Sequence, residues 1–228
     1  EQNTLTFERN RATSFTELEA CRTATVFGVG KIGKRIYELC KANGLTVQAV
    51  DIRESELSAA YGDSVKFVSK EQAIKNSGII INAMNLTRNS KSRFFNAGYF
   101  LEEYLSLAEK PLIFINVTRG EIAPEHILLK LYESGKIYGI GTDVFSDEEG
   151  FSAALRTNGD FDTADKAAAK EMLERSIARS ANIYVQLHQA FNSDIAATEK
   201  AKETIKHVIA WYKNGKQNFD EQLPYYVG

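Results

Sequence analysis

Several features that would mark other classes of protein are scarce or missing in this sequence. There is no low-complexity tract and no uninterrupted apolar run of about 18 residues, so we expect no membrane-spanning helix and no signal peptide. The net charge of −2 gives no excess of basic residues, which predicts neither a nucleic-acid partner nor a membrane partner. The two cysteines, Cys21 and Cys40, lack metal-site spacing, and we expect both to be reduced and structural in a cytoplasmic protein without a bound metal.

The composition is that of an ordinary globular protein. Apolar residues make up 43% and charged residues 25% of the chain, and 228 residues suffice for one large domain or for one domain with a fragment of another. The chain begins at Glu1 rather than Met, and its first convincing strand comes only after residue 22. We therefore expect a cut-out piece of a longer polypeptide, with residues 1–22 forming a lead-in helix or linker from something upstream.

A glycine-rich turn organises the sequence. The apolar run at 24–27 predicts a buried strand, and Gly28, Gly30 and Gly33 follow it in G-x-G-x-x-G spacing, at the start of a helical pattern. These glycines allow a tight turn, a close backbone approach to a pyrophosphate and close packing of helix on strand. The N-terminus of the following helix offers free N–H groups and the positive end of a dipole to phosphates.

An acidic residue follows the second predicted strand. The apolar stretch 45–50 ends at Asp51, at the distance from Gly28 where a carboxylate can accept hydrogen bonds from the ribose of an adenine dinucleotide. Ile52 and Arg53 come next. Arg53 could accommodate the 2′-phosphate of NADP, but Asp51 would repel that phosphate, so the pattern favours NAD. The alternative is a glycine-rich turn followed by an unrelated surface acid.

Predicted strands alternate with predicted helices along most of the chain. This alternation predicts an α/β fold, a Rossmann-like doubly wound parallel sheet with helices on both faces. We expect residues 23–193 to form this domain and residues 194–228 to form a C-terminal helix and tail. The strands are predicted at 23–28, 46–51, 65–68, 78–82, 112–116, 137–144 and 183–187, the main helices at 31–43, 70–76, 99–108, 124–131, 164–178 and 194–212, and a loop at 146–163.

Three polar side chains follow the later strands. Arg119, Glu148 and His188 come after the fifth, sixth and seventh predicted strands, and the carboxyl ends of parallel strands meet at one crevice. A protonated histidine can donate to the oxygen of a carbonyl that receives a hydride, a carboxylate raises the pKa of that histidine, and an arginine can hold a substrate carboxylate by two parallel bonds. Each also has a simpler interpretation: an ordinary strand-end histidine, a surface ion pair for Arg119 and a solvated acidic loop at Glu148.

These residues stand in stretches that resemble the NAD-binding domain of the D-isomer-specific 2-hydroxyacid dehydrogenases. The similar stretches are the glycine motif with Asp51, the segment 115–121 (Ile-Asn-Val-Thr-Arg-Gly-Glu) and the segment 134–145, which ends in Asp-Val-Phe. The resemblance implies that Arg119 binds the substrate and that His188 is the general acid/base, paired with Glu148. It also implies NAD as the cofactor, bound by Gly28, Gly30, Lys31, Ile32, Gly33, Asp51, Ile52, Arg53, Ala83, Met84, Asn85, Ser90, Val117, Thr118, Arg119, Asp143 and His188.

The chain departs from the family pattern in several places. The family usually has histidine and proline where Ala83 and Asn85 stand, and proline where Leu187 precedes the histidine. The spacing from Asp143 to His188 is longer than the family's, and the helix predicted at 164–178 accounts for most of the excess. We expect the family's substrate domain, built mainly from residues before the glycine motif, to be missing from this chain. We therefore expect the isolated chain to bind NAD and to show negligible turnover.

Three hypotheses about function follow. The leading one is the NAD-binding domain of an oxidoreductase that transfers a hydride between NAD(H) and a small 2-hydroxy or 2-keto acid, with D stereospecificity and a homodimeric state implied by the resemblance. The alternative is an NAD(H)-sensing regulator, similar to transcriptional corepressors, that has no turnover. The third is an unrelated nucleotide-binding enzyme with chance signatures, which the presence of Arg119 and Asp143 in the expected order makes the least favoured.

Overall fold

A parallel sheet of six strands forms the centre of the domain. The computed structural model describes residues 22–157, 159–190 and 192–216. Within these ranges the strands are β1 (Thr23–Phe27), β2 (Thr46–Val50), β3 (Ile79–Asn82), β4 (Leu112–Asn116), β5 (Ile137–Thr142) and β6 (Ile183–Val185). The order across the sheet is β2-β1-β3-β4-β5-β6, and every neighbouring pair is parallel.

Helices connect the strands on both faces of the sheet. In the part of the chain that the structure describes, these are α1 (Lys31–Ala42), α2 (Glu54–Tyr61), α3 (Lys70–Asn76), α4 (Glu102–Leu105), α5 (Glu125–Glu133), α6 (Glu148–Thr157), α7 (Ala164–Ala178) and α8 (Asp194–Lys213). The chain runs from β1 outward to β2, returns past β1 to β3, and then continues to the opposite edge. This reversal lies between β1 and β3, where a doubly wound sheet opens a crevice at its carboxyl edge. The predicted fold is confirmed.

Each face of the sheet has its own apolar core. On one face, Tyr37 of α1 packs with Val26 and Val47, all of them buried. On the other face, residues of α3, α4, α5 and α7 pack with Phe27 and Phe114, which are fully buried. Burying one such aromatic side chain contributes about 1.5–3 kcal/mol to folding. Because both faces are covered, the strands read as continuous apolar runs in the sequence.

Several predicted elements differ from the structure, and the strands predicted at 137–144 and 183–187 end two residues earlier, at Thr142 and Val185. The strand predicted at 65–68 is wrong: the structure has only an isolated parallel bridge between Ala49 and Phe67, after which Ser69 caps α3. The helix predicted at 99–108 is helical only over Glu102–Leu105. The physical reason is competition for the backbone, since the N–H of Phe100 donates to the carbonyl of Ile122 at 3.0 Å instead of entering a helix.

The loop predicted at 146–163 is wrong in its first part. Residues Glu148–Thr157 form α6, which buries Phe151 and Ala154 on one face. The Phe151 ring packs against Phe145 with centroids 5.1 Å apart, and Asp147 Oδ1 accepts a hydrogen bond from the N–H of Gly150 at 3.3 Å. The polar composition of this stretch concealed the helix, because its stability comes from tertiary burial of two side chains rather than from intrinsic propensity.

The predicted segments at the two ends of the chain lie partly outside the described residues. The lead-in helix predicted at 1–22 lies outside the described residues except for Arg22, and the predicted tail lies outside them beyond residue 216. Helix α8 corresponds closely to the predicted helix at 194–212, but none of its residues is buried against the described part of the protein. Its apolar residues, such as Ile195 and Tyr212, are exposed to solvent.

Candidate active site

The glycine loop joins β1 to α1 in a conformation that depends on glycine. Gly28 has a φ of +84°, a left-handed conformation, and a Cβ there would lie 2.8 Å from the Cα of Met84. A Cβ on Gly33 would lie 1.9 Å from the carbonyl oxygen of Gly28. At Gly30 the nearest atom to an added Cβ is 4.0 Å away, on Arg53. The protein itself therefore requires glycine at 28 and 33, whereas the open space at 30 suits close approach by a ligand.

The residues around this loop form a site with the right chemistry for a dinucleotide. Gly30 is the N-cap of α1 and makes no side-chain capping bond, so the helix N-terminus presents its N–H groups to an anion. Lys31 and Ile32 form the first turn of α1 and both are exposed, Ile32 by 65%. An exposed isoleucine next to an uncapped helix N-terminus fits a surface that a ligand covers. By these features the residues present fit NAD, which the loop and α1 would hold by its pyrophosphate.

Asp51 stands at the end of β2, directly against the glycine loop. Its Oδ2 accepts a hydrogen bond from the N–H of Val29 at 2.7 Å, and its Oδ1 accepts one from the N–H of Arg53 at 2.9 Å. The Arg53 guanidinium lies 3.4 Å from the same Oδ1. Ile52, between them, is 61% exposed. These contacts fix the carboxylate in the crevice, and its role toward a ribose stays a prediction.

The first residues of the loop that follows β3 lie against the glycine loop. The N–H of Ala83 donates to the carbonyl of Phe27 at 2.8 Å, and Met84 closes over Gly28. The carbonyl of Asn85 accepts a hydrogen bond from the Asn96 side chain at 2.7 Å, which ties the loop down. Ser90 lies further along, on an exposed turn. The structure thus brings Ala83 and Met84 to the predicted cofactor site and leaves the roles of Asn85 and Ser90 as predictions.

Two buried asparagines hold the loop that follows β4. Asn82 Nδ2 donates to Asn116 Oδ1 at 2.9 Å and to Thr118 Oγ1 at 3.0 Å. Asn116 Nδ2 in turn donates to the backbone carbonyl of Arg119 at 3.0 Å. Val117 is half-buried between these residues. Sequence reasoning gave no role to Asn82 or Asn116. Both stand at the ends of neighbouring buried strands, and buried polar groups usually form hydrogen bonds with each other. That position could have predicted the pair.

Arg119 itself points away from the core. The residue is exposed, and its guanidinium donates from Nη1 to the carbonyl of Thr118 at 2.6 Å. Among the described residues no ion pair joins Arg119 to Glu148 or His188. Arg119 follows β4 at the same edge of the sheet as Glu148 and His188. Its guanidinium group is exposed to solvent at that edge.

Glu148 and His188 form a direct pair. His188 Nδ1 and Glu148 Oε2 are 2.7 Å apart, with both side chains a little over one third exposed. The other carboxylate oxygen, Oε1, accepts a hydrogen bond from the N–H of Phe145 at 3.2 Å, which orients the carboxylate. A carboxylate at this distance can accept a hydrogen bond from the Nδ1–H of the ring and so fix the ring's orientation. The arrangement therefore holds at the sheet edge a side chain that can donate or accept a proton.

Asp143 supports the segment that carries His188. Its Oδ1 accepts from the N–H of Gln189 at 2.8 Å, its Oδ2 accepts from the N–H of Ala190 at 3.1 Å, and its carbonyl accepts from the N–H of His188 at 2.7 Å. These bonds hold His188 in a left-handed conformation with a φ of 52°, which costs a non-glycine residue about 1 kcal/mol. The structure shows Asp143 shaping this turn, and its contact with a nicotinamide stays a prediction.

A cleft of about 380 Å³ opens beside Asp143. It runs from the carboxyl ends of β4, β5 and β6 down one face of the sheet. Its polar end is lined by Asn116, Val117, Thr142, Asp143, Gln186 and Ala190. The predicted cofactor residues Val117 and Asp143 thus share one concave surface, which is a usual setting for a ligand.

The fold and this edge define a dinucleotide-binding domain with an acid–base pair at the carboxyl ends of its strands. Comparison with known proteins names the family. A family model described as "D-isomer specific 2-hydroxyacid dehydrogenase, NAD binding domain" matches residues 1–190, and the chain belongs to that family. Its members are oxidoreductases, and NAD is the cofactor of this domain.

Individual relatives agree with this assignment. The chain is 26% identical over 194 residues to a 2-hydroxyacid dehydrogenase homolog from Schizosaccharomyces pombe, covering 85% of this chain and 54% of that protein. It is 28% identical over 137 residues to a glyoxylate reductase from Pyrococcus horikoshii, covering 59% of this chain and 38% of that protein. Among solved structures, D-lactate dehydrogenase from Aquifex aeolicus, complexed with NAD and lactic acid, superposes with a TM-score of 0.75 at 27% identity, covering 93% of this chain and 60% of that one.

The chain therefore spans between 38% and 60% of the length of these relatives. No helix among the described residues is long and apolar enough to cross a membrane. Within the same residues there is no cluster of three or more histidine, cysteine or acidic side chains that could hold a metal ion.

Proposed function

We propose that this chain is the NAD-binding part of an enzyme that transfers a hydride between NAD(H) and a small 2-hydroxy or 2-keto acid with D stereospecificity. The observation that supports this most is the Glu148–His188 pair, 2.7 Å apart, at the same sheet edge as the glycine loop and Arg119. The residues proposed to bind the dinucleotide lie at the same edge of the sheet as those proposed to move a proton and to bind a carboxylate, which supports the proposal.

Each residue has a distinct task in this proposal. NADH, when bound, supplies the hydride for the carbonyl carbon. Protonated His188 donates a proton to the carbonyl oxygen, and in the reverse direction the neutral ring accepts the proton of the hydroxyl. Glu148 accepts the hydrogen bond of the Nδ1–H and so orients the ring, and the ring exchanges its proton with the substrate at Nε2. Arg119 binds the substrate carboxylate through two parallel hydrogen bonds and so orients the carbonyl.

The test uses the full-length protein with NADH and a panel of 2-keto acids that includes glyoxylate and pyruvate. We expect reduction of at least one of them. His188→Ala should lower kcat by roughly 10²- to 10⁴-fold, which is the usual contribution of a general acid. Arg119→Ala should raise KM for the keto acid, by roughly 10- to 100-fold, because it removes a charge-assisted hydrogen-bonded pair. His207→Ala and Arg35→Ala, which change the same residue types on α8 and α1, should keep near wild-type rates.

The possible results separate the hypotheses. Loss of activity in both His188→Ala and Arg119→Ala favours the dehydrogenase. NADH binding without turnover of any keto acid favours the NAD(H)-sensing regulator. A full-length protein that does not bind NADH would contradict both. The isolated 228-residue chain, assayed in parallel, should bind NADH and show negligible turnover.

A homodimeric state and a cytoplasmic location also belong to this proposal. The dimer is supported by the sequence resemblance, and the location by the presence of only two cysteines, which lack metal-site spacing. Sedimentation of the full-length protein tests the first, since a single monomeric species at micromolar concentration would contradict it.

A further inference from the structure

The buried side chain of Glu125 has no task in the reaction proposed above. Glu125 is the first residue of α5 and is only 2% exposed. Its Oε1 accepts a hydrogen bond from the backbone N–H of Ser146 at 2.7 Å. Its Oε2 and the hydroxyl of Ser146 are both buried without a hydrogen-bond partner among the described residues. Burying such a group costs free energy, so a carboxyl kept in this position needs an explanation.

Glu125 lies where the loop after β4 meets the segment after β5. Gly120, which directly follows Arg119, packs so closely there that an added Cβ would lie 2.1 Å from the N of Ser146, 2.2 Å from the carbonyl carbon of Phe145 and 2.5 Å from Glu125 Oε1. The two backbone segments are therefore in direct contact, and the Glu125 carboxyl bonds to one of them at the point of contact. A side chain at this junction can set the spacing between the segments.

The same segment also orients the acid–base pair. The N–H of Phe145, the residue before Ser146, donates to Glu148 Oε1 at 3.2 Å, and Glu148 Oε2 lies 2.7 Å from His188 Nδ1. Contacts thus run without a gap from Gly120 through Glu125 and the 145–146 backbone to His188. A shift of Ser146 would move the donor that holds Glu148.

We propose that Glu125 is a positioning residue, whose buried carboxyl clamps the 145–146 backbone against the Gly120 loop and so sets where Arg119 stands relative to the Glu148–His188 pair. This inference rests on the proposed function, because it assigns Glu125 to the site that performs it. Glu125 acts in this proposal through the backbone N–H of Ser146 and is not a catalytic residue.

The charge state of Glu125 agrees with this role. Burial raises its pKa to about 7, against the opposing effect of hydrogen bonding from Ser146, and Asp165 on α7 raises the pKa further. Asp165 is itself paired with His126 at 2.6 Å, and Asp147, near Ser146, is paired with Lys166 at 3.0 Å. A protonated Glu125 can donate from Oε2 to the Ser146 hydroxyl while Oε1 still accepts from the Ser146 N–H. Both buried polar atoms then gain a partner.

The test compares two substitutions in the full-length protein. Glu125→Met keeps the volume of the side chain and removes both oxygens, whereas Glu125→Gln keeps the acceptor and adds a donor. We expect Glu125→Met to lower kcat/KM for the keto acid by roughly 10- to 100-fold, because small displacements of reacting groups are costly, while the Kd for NADH stays within about twofold of wild type. Glu125→Gln should restore most of kcat/KM. Glu133→Gln, on the same helix, is the control.

A second measurement does not depend on turnover. The ring nitrogens of His188 can be observed by NMR at one fixed pH, and we expect their chemical shifts to change in Glu125→Met and to return to the wild-type values in Glu125→Gln. Wild-type kcat/KM and unchanged His188 ring shifts in Glu125→Met would overturn the inference, as would equal losses in the Met and Gln variants. If Glu125→Met does not fold, Glu125→Thr, which cannot reach Ser146, takes its place. If the wild-type protein reduces no keto acid, the proposed function fails and the His188 ring shifts alone decide the role of Glu125.

Discussion

Replacing Glu125 with glutamine should make the stability of this domain less dependent on pH. The ordinary pKa of the carboxyl is 4.5, and burial raises it to about 7 in the folded protein. Between these two values the folded state keeps a proton that the unfolded chain has released, so the unfolding free energy falls as pH rises through this window. Below pH 4.5 this loss of unfolding free energy is absent, and well above pH 7 it has reached its full size.

The magnitude follows from the two pKa values. Raising the pKa from 4.5 to about 7 corresponds to a loss of about 3 kcal/mol at high pH, at about 1.4 kcal/mol per pH unit. Most of this loss occurs between pH 5 and pH 8. Because Glu125 is almost fully buried, solvent screening does not reduce this figure appreciably. A loss of this size is a substantial part of the total stability of a typical domain.

Urea denaturation at pH 5 and at pH 8 measures the effect. The other ionisable groups are the same in wild type and in Glu125→Gln. The difference between their pH profiles of unfolding free energy therefore reports on Glu125 alone. Between the two pH values we expect wild type to lose about 2–3 kcal/mol more unfolding free energy than Glu125→Gln. Glu133→Gln, which changes an exposed carboxyl on the same helix, should follow wild type. Parallel pH profiles for wild type and Glu125→Gln would refute the reasoning, because they would mean that Glu125 ionises as easily in the folded protein as in the unfolded chain.

Two further predictions concern backbone contacts at the site. Gly33→Ala should abolish NADH binding and destabilise the domain, since its Cβ would lie 1.9 Å from a backbone oxygen; a calorimetric titration with NADH that gives a wild-type Kd would contradict this. Asn116→Ala should cost about 1–3 kcal/mol of unfolding free energy, because it leaves the buried amide of Asn82 with one bond fewer, and should raise KM for the keto acid more than Kd for NADH. Equal changes in both constants would mean that the asparagine pair does not act through Arg119.

The site shows where sequence reasoning succeeds. Gly28 and Gly33 were recognisable because their spacing encodes a local turn and a helix packed on the strand that precedes it. Helices predicted at 70–76 and 164–178 have the predicted bounds in the structure, since each begins at a side-chain cap, Ser69 or Thr163. The acid and histidine predicted to pair by family resemblance lie within hydrogen-bonding distance. These are patterns that neighbouring residues or a known motif specify.

The missed features depend on contacts between residues distant in the chain. The strand predicted at 65–68 has the right composition, but only one residue of β2 pairs with it. Glu125 stands in the first turn of a helix, which is a common and favourable position for an acidic residue and does not single it out. Nothing near it in the sequence indicates that α5 starts beneath the junction of two loops, or that Ser146 would supply its hydrogen bond.

The sequence alone determined the alternation of strands and helices, the glycine loop and the order of Arg119, Glu148 and His188, because periodicity, turn chemistry and motif spacing are local properties of the chain. The tertiary structure decided which polar groups lose contact with water and which partners they meet. Burial changes the free energy of a carboxyl or an amide only when the strands have come together. For that reason the Asn82–Asn116 pair, the turn held by Asp143 and the buried carboxyl of Glu125 became visible only in the folded protein.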